Sequence, residues 1–309
     1  MYAAARTTIG RKAVTTFVAV PFALLACSGE KSSTVAVAEA HPVESTTAVP
    51  DVKVDSTPVV TSEPKFTHAI DAYNAGRFQS AVDMYTVSVG NTPGDAHSWY
   101  MLGLSHWKSG DFTNAKLAFD KSIELDPTMA KSYFNKARVL LDLKRSPEAL
   151  EVIEKGRAID STSPDGLRLM ARAQAEVGDV DGAMMTYRTL LVRDDADVWG
   201  LNNLGVLLLD RGQFEEALGP LARVVQVRPT SPVFQNNLGM ALERSGYKVA
   251  ALEHYTLGVR NDSTFAKAVK NADRLKVLVD STATVEVNVK DLAEQFRQKV
   301  KMWKESETH

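Results

Sequence analysis

WYMLGLSHWKSGDFTNAKLAFDKSIELDP, residues 99–127, is the stretch that decides the fold. Gly110 and Pro127 divide it into two helices: the glycine supplies the left-handed backbone that ends the first, and the proline stops the second. Gly103 and Ala115 are small, so the two axes can approach closely. Phe119 lies one turn beyond Ala115 on the same face and fills the space between the helices.

The same columns run outward in both directions with no insertion. Alanine recurs every 34 residues at Ala81, Ala115, Ala149, Ala183, Ala217 and Ala251. Twelve residues earlier stands a small residue each time: Ala69, Gly103, Ala137, Ala171, Gly205 and Gly239. Five residues earlier stands Gly76, Gly110, Gly178, Gly212 or Gly246, with Lys144 as the exception. Four residues later stands Tyr85, Phe119, Ile153, Tyr187, Leu221 or Tyr255, and twelve later a turn residue: Pro93, Pro127, Ser161, Asp195, Pro229 or Ser263. A helical hairpin of this size cannot bury its apolar face alone, so each unit must stack on its neighbours.

This pattern resembles the tetratricopeptide repeat family. Trp99, Leu102, Gly103, Gly110, Ala115, Phe119 and Pro127 match the family signature, and Leu204-Gly205 and Leu238-Gly239 recur in later units. The resemblance covers residues 62–265 as six units. It implies an all-α fold, a right-handed superhelix of six helical hairpins plus a capping helix, and a function in binding other proteins rather than in catalysis. The third unit departs most, with Lys136 where leucine is expected and Lys144 in place of glycine. Ser146-Pro147 reads there as a helix start, an N-cap followed by a first-turn proline. Pro220 falls inside the second helix of unit five, where a local kink is expected.

The ends of the chain differ in kind. Arg6, Arg11 and Lys12 precede a short apolar run that closes on Leu24-Leu25-Ala26-Cys27. That describes a secretory signal over 1–26 whose apolar run, Ala13 to Leu25, is too short for a bilayer span, and Leu24 to Cys27 resembles the bacterial lipobox, in which the cysteine becomes lipidated. Cys27 is the single cysteine, so no disulfide can form within one molecule. Residues 27–61 are rich in Ser, Thr, Val, Pro and Ala, a composition that builds no core and reads as a disordered linker. The segment 266–280 suits a capping helix. Within the extension 281–309, Val285 to Val289 alternate as a short extended stretch, and 290–304 forms an amphipathic helix with Leu292, Phe296, Val300 and Trp303 on one face. That helix reads as packing on the array, the alternative being a docking helix for a partner or the membrane surface. Net charge is −2 for the whole chain, and removal of the signal's three cations brings it to −5. No basic domain is present to hold nucleic acid.

No catalytic or metal constellation emerges. The histidines, His41, His68, His97, His106, His254 and His309, show no zinc-helix spacing, and there is no second cysteine. No cofactor, metal or small-molecule substrate is expected. The resemblance implies a groove lined by the first helix of each unit. Mapped onto it, Phe66, Ile70, Tyr73, Tyr100, Leu104 and Trp107 form an aromatic end. Lys131, Arg138, Arg168 and Arg172 form a cationic middle. Asn202-Asn203 and Asn236-Asn237 mark the far end. Asparagine offers a donor and an acceptor together, and Asn135, Asn203 and Asn237 are candidates to grip an extended peptide backbone. The arginines suit an acidic segment or a C-terminal carboxylate, or they pair with Asp142, Asp165 and Glu176. The chaperone-binding carboxylate clamp of some family members is not matched.

These readings converge on a membrane-anchored, non-enzymatic scaffold that binds protein segments in the bacterial cell envelope. In a cell with two membranes, the lipoprotein resemblance and Ser28 after Cys27 imply an outer membrane, facing the periplasm; in a cell with one, the outer face of the cytoplasmic membrane. The alternative within that class is a pilotin-like assembly factor for a pilus or secretion channel. The alternative outside it is an enzyme or metal carrier built on a repeat frame.

Overall fold

Six pairs of antiparallel helices follow one another at the period read from the alanines. A computed structural model describes residues 64–279 and 286–306. The lipobox, the signal and most of the linker therefore lie outside the described residues, as do 280–285. Among the described residues there are fourteen α-helices and no strand. The first helices of the pairs are α1 (Pro64–Asn74), α3 (Ala96–Ser109), α5 (Ala130–Asp142), α7 (Pro164–Glu176), α9 (Val198–Asp210) and α11 (Pro232–Arg244). The second helices are α2 (Phe78–Asn91), α4 (Phe112–Leu125), α6 (Ser146–Ile159), α8 (Val180–Arg193), α10 (Phe214–Val227) and α12 (Lys248–Asn261). Helix α13 (Ala266–Leu278) caps the stack, and α14 (Val289–Ser306) follows it.

The columns act as their chemistry requires. All six period alanines have no exposed surface. A Cβ added at Gly103 or Gly239 would stand 2.7 Å from the ring of Phe119 or Tyr255, so the bulky residue of each second helix presses into the small residue of the first. Gly76, Gly110, Gly178, Gly212 and Gly246 all have φ between 72° and 91°. Lys144 adopts the same left-handed turn at φ 60°, and its amide and that of Arg145 bond Leu141 and Leu140 as in the glycine turns. The turn therefore survives a side chain, at a cost of about 1–2 kcal/mol.

Two local expectations, at Ser146 and Val289, are corrected. Ser146 is not an N-cap. It is the first residue of α6, Arg145 holds the cap position, and the buried Ser146 hydroxyl donates to Glu176 of α7 at 2.5 Å. An inter-unit carboxylate outcompetes the local amide. Helix α10 runs unbroken through Pro220, which is buried. Val289 is not extended but opens α14, with Asn288 bonding the first free amides of that helix.

Successive first helices touch one another, α3 on α5, α5 on α7, α7 on α9, α9 on α11 and α11 on α13. No comparable contact joins two second helices. The first helices thus line the closely spaced inner side of the solenoid and the second helices its wider outer side. Helix α14 lies on that outer side, against α10 and α8, with Ala293, Phe296 and Val300 buried.

Candidate inner-face binding site

The inner face changes chemistry along its length because the repeat leaves its lining positions free to vary. At the α1–α3 end, Tyr73 meets Phe78 edge-on at 5.6 Å, and Tyr100 leans on Phe119 at 6.0 Å. Trp107 donates its indole N–H to Asp142 at 2.8 Å. Its ring takes two cations, Lys108 Nζ at 4.4 Å and the Arg138 guanidinium at 5.3 Å. Burial pushes the Lys108 ammonium below the ordinary lysine range, and the charge of Arg138 adds to this. Burial raises Tyr73, and lifts Tyr100 to about 12, with Arg138 opposing in both cases. Both phenols therefore stay protonated at neutral pH and can donate hydrogen bonds.

The middle is an interlocked row of ion pairs. Arg138 donates to Asp165 at 2.6 Å and to Asn135. Arg168 reaches Asp165 at 3.5 Å and grips Asp197 through two nitrogens, at 2.6 and 3.0 Å. Asp197 is only 6% exposed and caps α9 by accepting from Gly200 at 2.7 Å. Arg172 bridges Asp142 at 3.3 Å and Glu176 at 3.0 Å. Each pair joins one first helix to the next or braces one from within. The expected cationic middle is corrected here: three arginines meet four carboxylates, and the stretch is neutralised from within.

At the far end an amide ladder crosses three helices. Asn202 donates to Asn203 at 3.1 Å, and Asn237 donates back to Asn202 at 2.9 Å. Asn236 donates to Asn237 at 3.4 Å, and Asn271 of α13 donates back to Asn236 at 2.9 Å. Asn135 makes the same backward bond, 35 residues up the chain, to the Tyr100 hydroxyl at 3.2 Å. The recurring asparagine is thus a link between successive first helices wherever the preceding unit offers an acceptor.

Models described as tetratricopeptide repeat match residues 66–130 and 100–164, and a further one matches 199–228. The chain carries tetratricopeptide repeats. The chain is similar to stress-induced-phosphoprotein 1 from Caenorhabditis elegans, 26% identical over 166 residues, which are 52% of this chain and 50% of that protein. The chain spans at most about half the length of such curated relatives. Two solved structures share the fold. A tetratricopeptide repeat protein from Parabacteroides merdae gives a TM-score of 0.59 at 11% identity, covering 70% of this chain and 86% of that one. A thermophilic protein with the same repeats from Thermus thermophilus gives 0.51 at 14% identity, covering 59% of this chain and all of that one.

Within this repeat array the candidate residues fall into three groups. Trp107, Asn135, Arg138, Arg168 and Arg172 come together in one network across α3, α5, α7 and α9, and Tyr73 lies within electrostatic reach of Arg138. Asn203 is half-buried and hydrogen-bonds the Tyr187 hydroxyl. Asn237 is fully buried and its amide has no open face. Cys27 lies outside the described residues. Sequence reasoning missed Lys108, Asp197, Tyr187 and Asn271. A count at 35 residues instead of 34 finds the Tyr100–Asn135, Asn202–Asn237 and Asn236–Asn271 pairs, because a side chain reaching back to the preceding helix meets the residue one place earlier in the register. Among the described residues no group of three or more His, Cys, Asp or Glu is placed to hold a metal ion.

Proposed function

We propose that the chain is a non-enzymatic scaffold whose inner face binds an extended protein segment at its α1–α5 end, and that Cys27 anchors it by lipid in a bacterial envelope. Tetratricopeptide repeats generally mediate contacts between proteins. One observation carries the location. From α7 onward Arg168, Arg172, Asn202, Asn236 and Asn237 are paired with neighbouring helices, whereas Tyr73, Tyr100, Trp107 and Lys108 keep part of their surface open and Lys131 is exposed. Lys108 has no carboxylate within ion-pair distance among the described residues, only the Trp107 ring. Aromatic rings beside incompletely neutralised ammonium groups suit a segment that alternates apolar and acidic side chains. The anchor rests on Leu24-Leu25-Ala26-Cys27, and the periplasm-facing outer membrane on Ser28.

The test is crosslinked capture from the native envelope with the full chain, its Trp107→Ala form and its Lys108→Glu form. Both variants are expected to lose the partner that the full chain captures, while Asn203→Ala retains it. Retention by both variants would move the site elsewhere. The mass of the mature protein checks the anchor: acyl chains are expected on the wild type and absent from Cys27→Ser.

A further inference from the structure

Three departures from the repeat sit beneath one helix. In the turn column, Asp195 is the one acid, the other positions being proline or serine. Two residues beyond the period alanine, Asp83, Leu117, Glu151, Met185 and Glu253 all carry side chains, and only Gly219 does not. Pro220 follows it inside α10. Helix α14 uses the first two directly. Phe296 lies over Gly219, where an added Cβ would meet its ring and Cβ at 3.0–3.1 Å. Arg297 donates to Asp195 at 3.3 Å, and Asp195 also receives Arg223 of α10 at 3.4 Å. On α8, the Arg188 guanidinium stands 5.3 Å from the Trp303 ring and donates to Ser306 at 2.8 Å. Trp303 in turn meets Phe296 edge-on at 5.8 Å.

The place these contacts span is itself unusual. Of the five joints between successive units and the one to the cap, α8 against α9 is the most sparsely packed. On the inner side that joint is stitched by Arg168 and Asp197. On the outer side α8 and α10 make no substantial contact of their own, and α14 packs on both.

We propose that α14 is a brace that fixes the spacing of units four and five and so sets how far the inner face can open between α7 and α9. Opening that joint moves α8 relative to α10 and strains the Gly219–Phe296 and Arg188–Trp303 contacts together. By linkage, whatever binds the chain by changing this spacing loosens α14 by the same factor, and release of α14 favours the opened form. The brace stands independently of where a ligand sits.

The experiment uses the full chain carrying Cys27→Ser, with spin labels on introduced cysteines at Asp181 and Glu215 to report the α8–α10 distance. A second pair at Asp83 and Thr113 reports α2–α4 as a control. Phe296→Ala and Gly219→Leu attack the contact from its two sides. In the parent, the α8–α10 distance distribution is expected to be narrow. In both variants it broadens, α14 amides exchange faster by on the order of a hundredfold, and the α2–α4 distribution is unmoved. Fast exchange in α14 with an unchanged α8–α10 distribution would make it a passenger and end the proposal. Protected α14 amides in both variants would end it too, because Gly219 would not be the seat.

Discussion

The two halves of the array share one repeat yet differ in how their cores connect. From α7 to α14 a single apolar cluster runs without interruption, through Tyr187, Leu201, Leu221, Phe234, Tyr255 and Leu275 to Phe296 and Val300. From α1 to α7 the core breaks into three smaller clusters, one around Tyr85, one around Phe119 and one around Ile153. The lining residues explain the contrast. Helix α9 offers Leu204 and Val206 to the core, whereas α5 carries Lys136 and Arg138 at those two positions and α7 carries Arg172 at the second. Charged residues there divide the apolar surface, and ion pairs stitch the gaps. Helix α14 then ties the apolar half together from outside. One repeat therefore yields a half that behaves as a block and a half that behaves as linked units.

The sharpest way to break this comparison uses the same column in each half. Tyr255→Ala and Phe119→Ala are each expected to cost about 3–5 kcal/mol, since both rings are wholly buried. Their reach should differ. Amide exchange in Tyr255→Ala should rise together from α7 to α14, and in Phe119→Ala only from α3 to α5. Equal spread in both would erase the distinction.

A smaller effect probes the border between the halves. Ala183→Leu forces a larger side chain into a site with no exposed surface and should cost about 1–3 kcal/mol by overpacking. A denaturation midpoint equal to that of the wild type would contradict close packing there.

In the looser half, Lys144→Gly should gain about 1 kcal/mol in chemical denaturation, because the left-handed turn at φ 60° ceases to strain a side chain. No gain would mean that Lys144 makes a compensating contact.

The smallest effect separates the halves by pH. His254 is buried against Gln235, its Nδ1 lying 2.7 Å from the amide oxygen, and burial holds its pKa below the ordinary value of 6.5. The unfolded chain therefore binds the proton more readily. The contribution is complete above pH 6.5 and fades as pH falls below it, no more steeply than about 1.4 kcal/mol per pH unit. Amide protection in α11 and α12 should weaken between pH 6.5 and 5.5 while α3 and α4 hold. His254→Gln should flatten that slope, and an unchanged slope would assign it to other groups.

Much of the fold was legible. The alanine, glycine and aromatic columns named the hairpins because each acts within one unit, over sixteen residues or fewer. Ser146 was misread for the opposite reason: its partner, Glu176, lies 30 residues away on the next unit. The arginines were legible as candidates, but whether they face a ligand or Asp142, Asp165, Glu176 and Asp197 depended on the pitch between helices. Asn237 looked like an exposed amide and proved to be an inter-helix link.

By itself, then, the sequence determined the period, the helix pairs and the order in which they stack, since spacing and residue size act locally and repeat. The tertiary structure alone decided which polar residues of the inner face stay open and where α14 comes to rest. Arg297 and Asp195 lie 102 residues apart, and Arg188 and Ser306 lie 118 apart. Stacking of repeats joins only neighbouring units and does not bring such distant residues together. Only the return of the chain across the outside of its own stack does so, where a missing side chain at Gly219 leaves room for a ring.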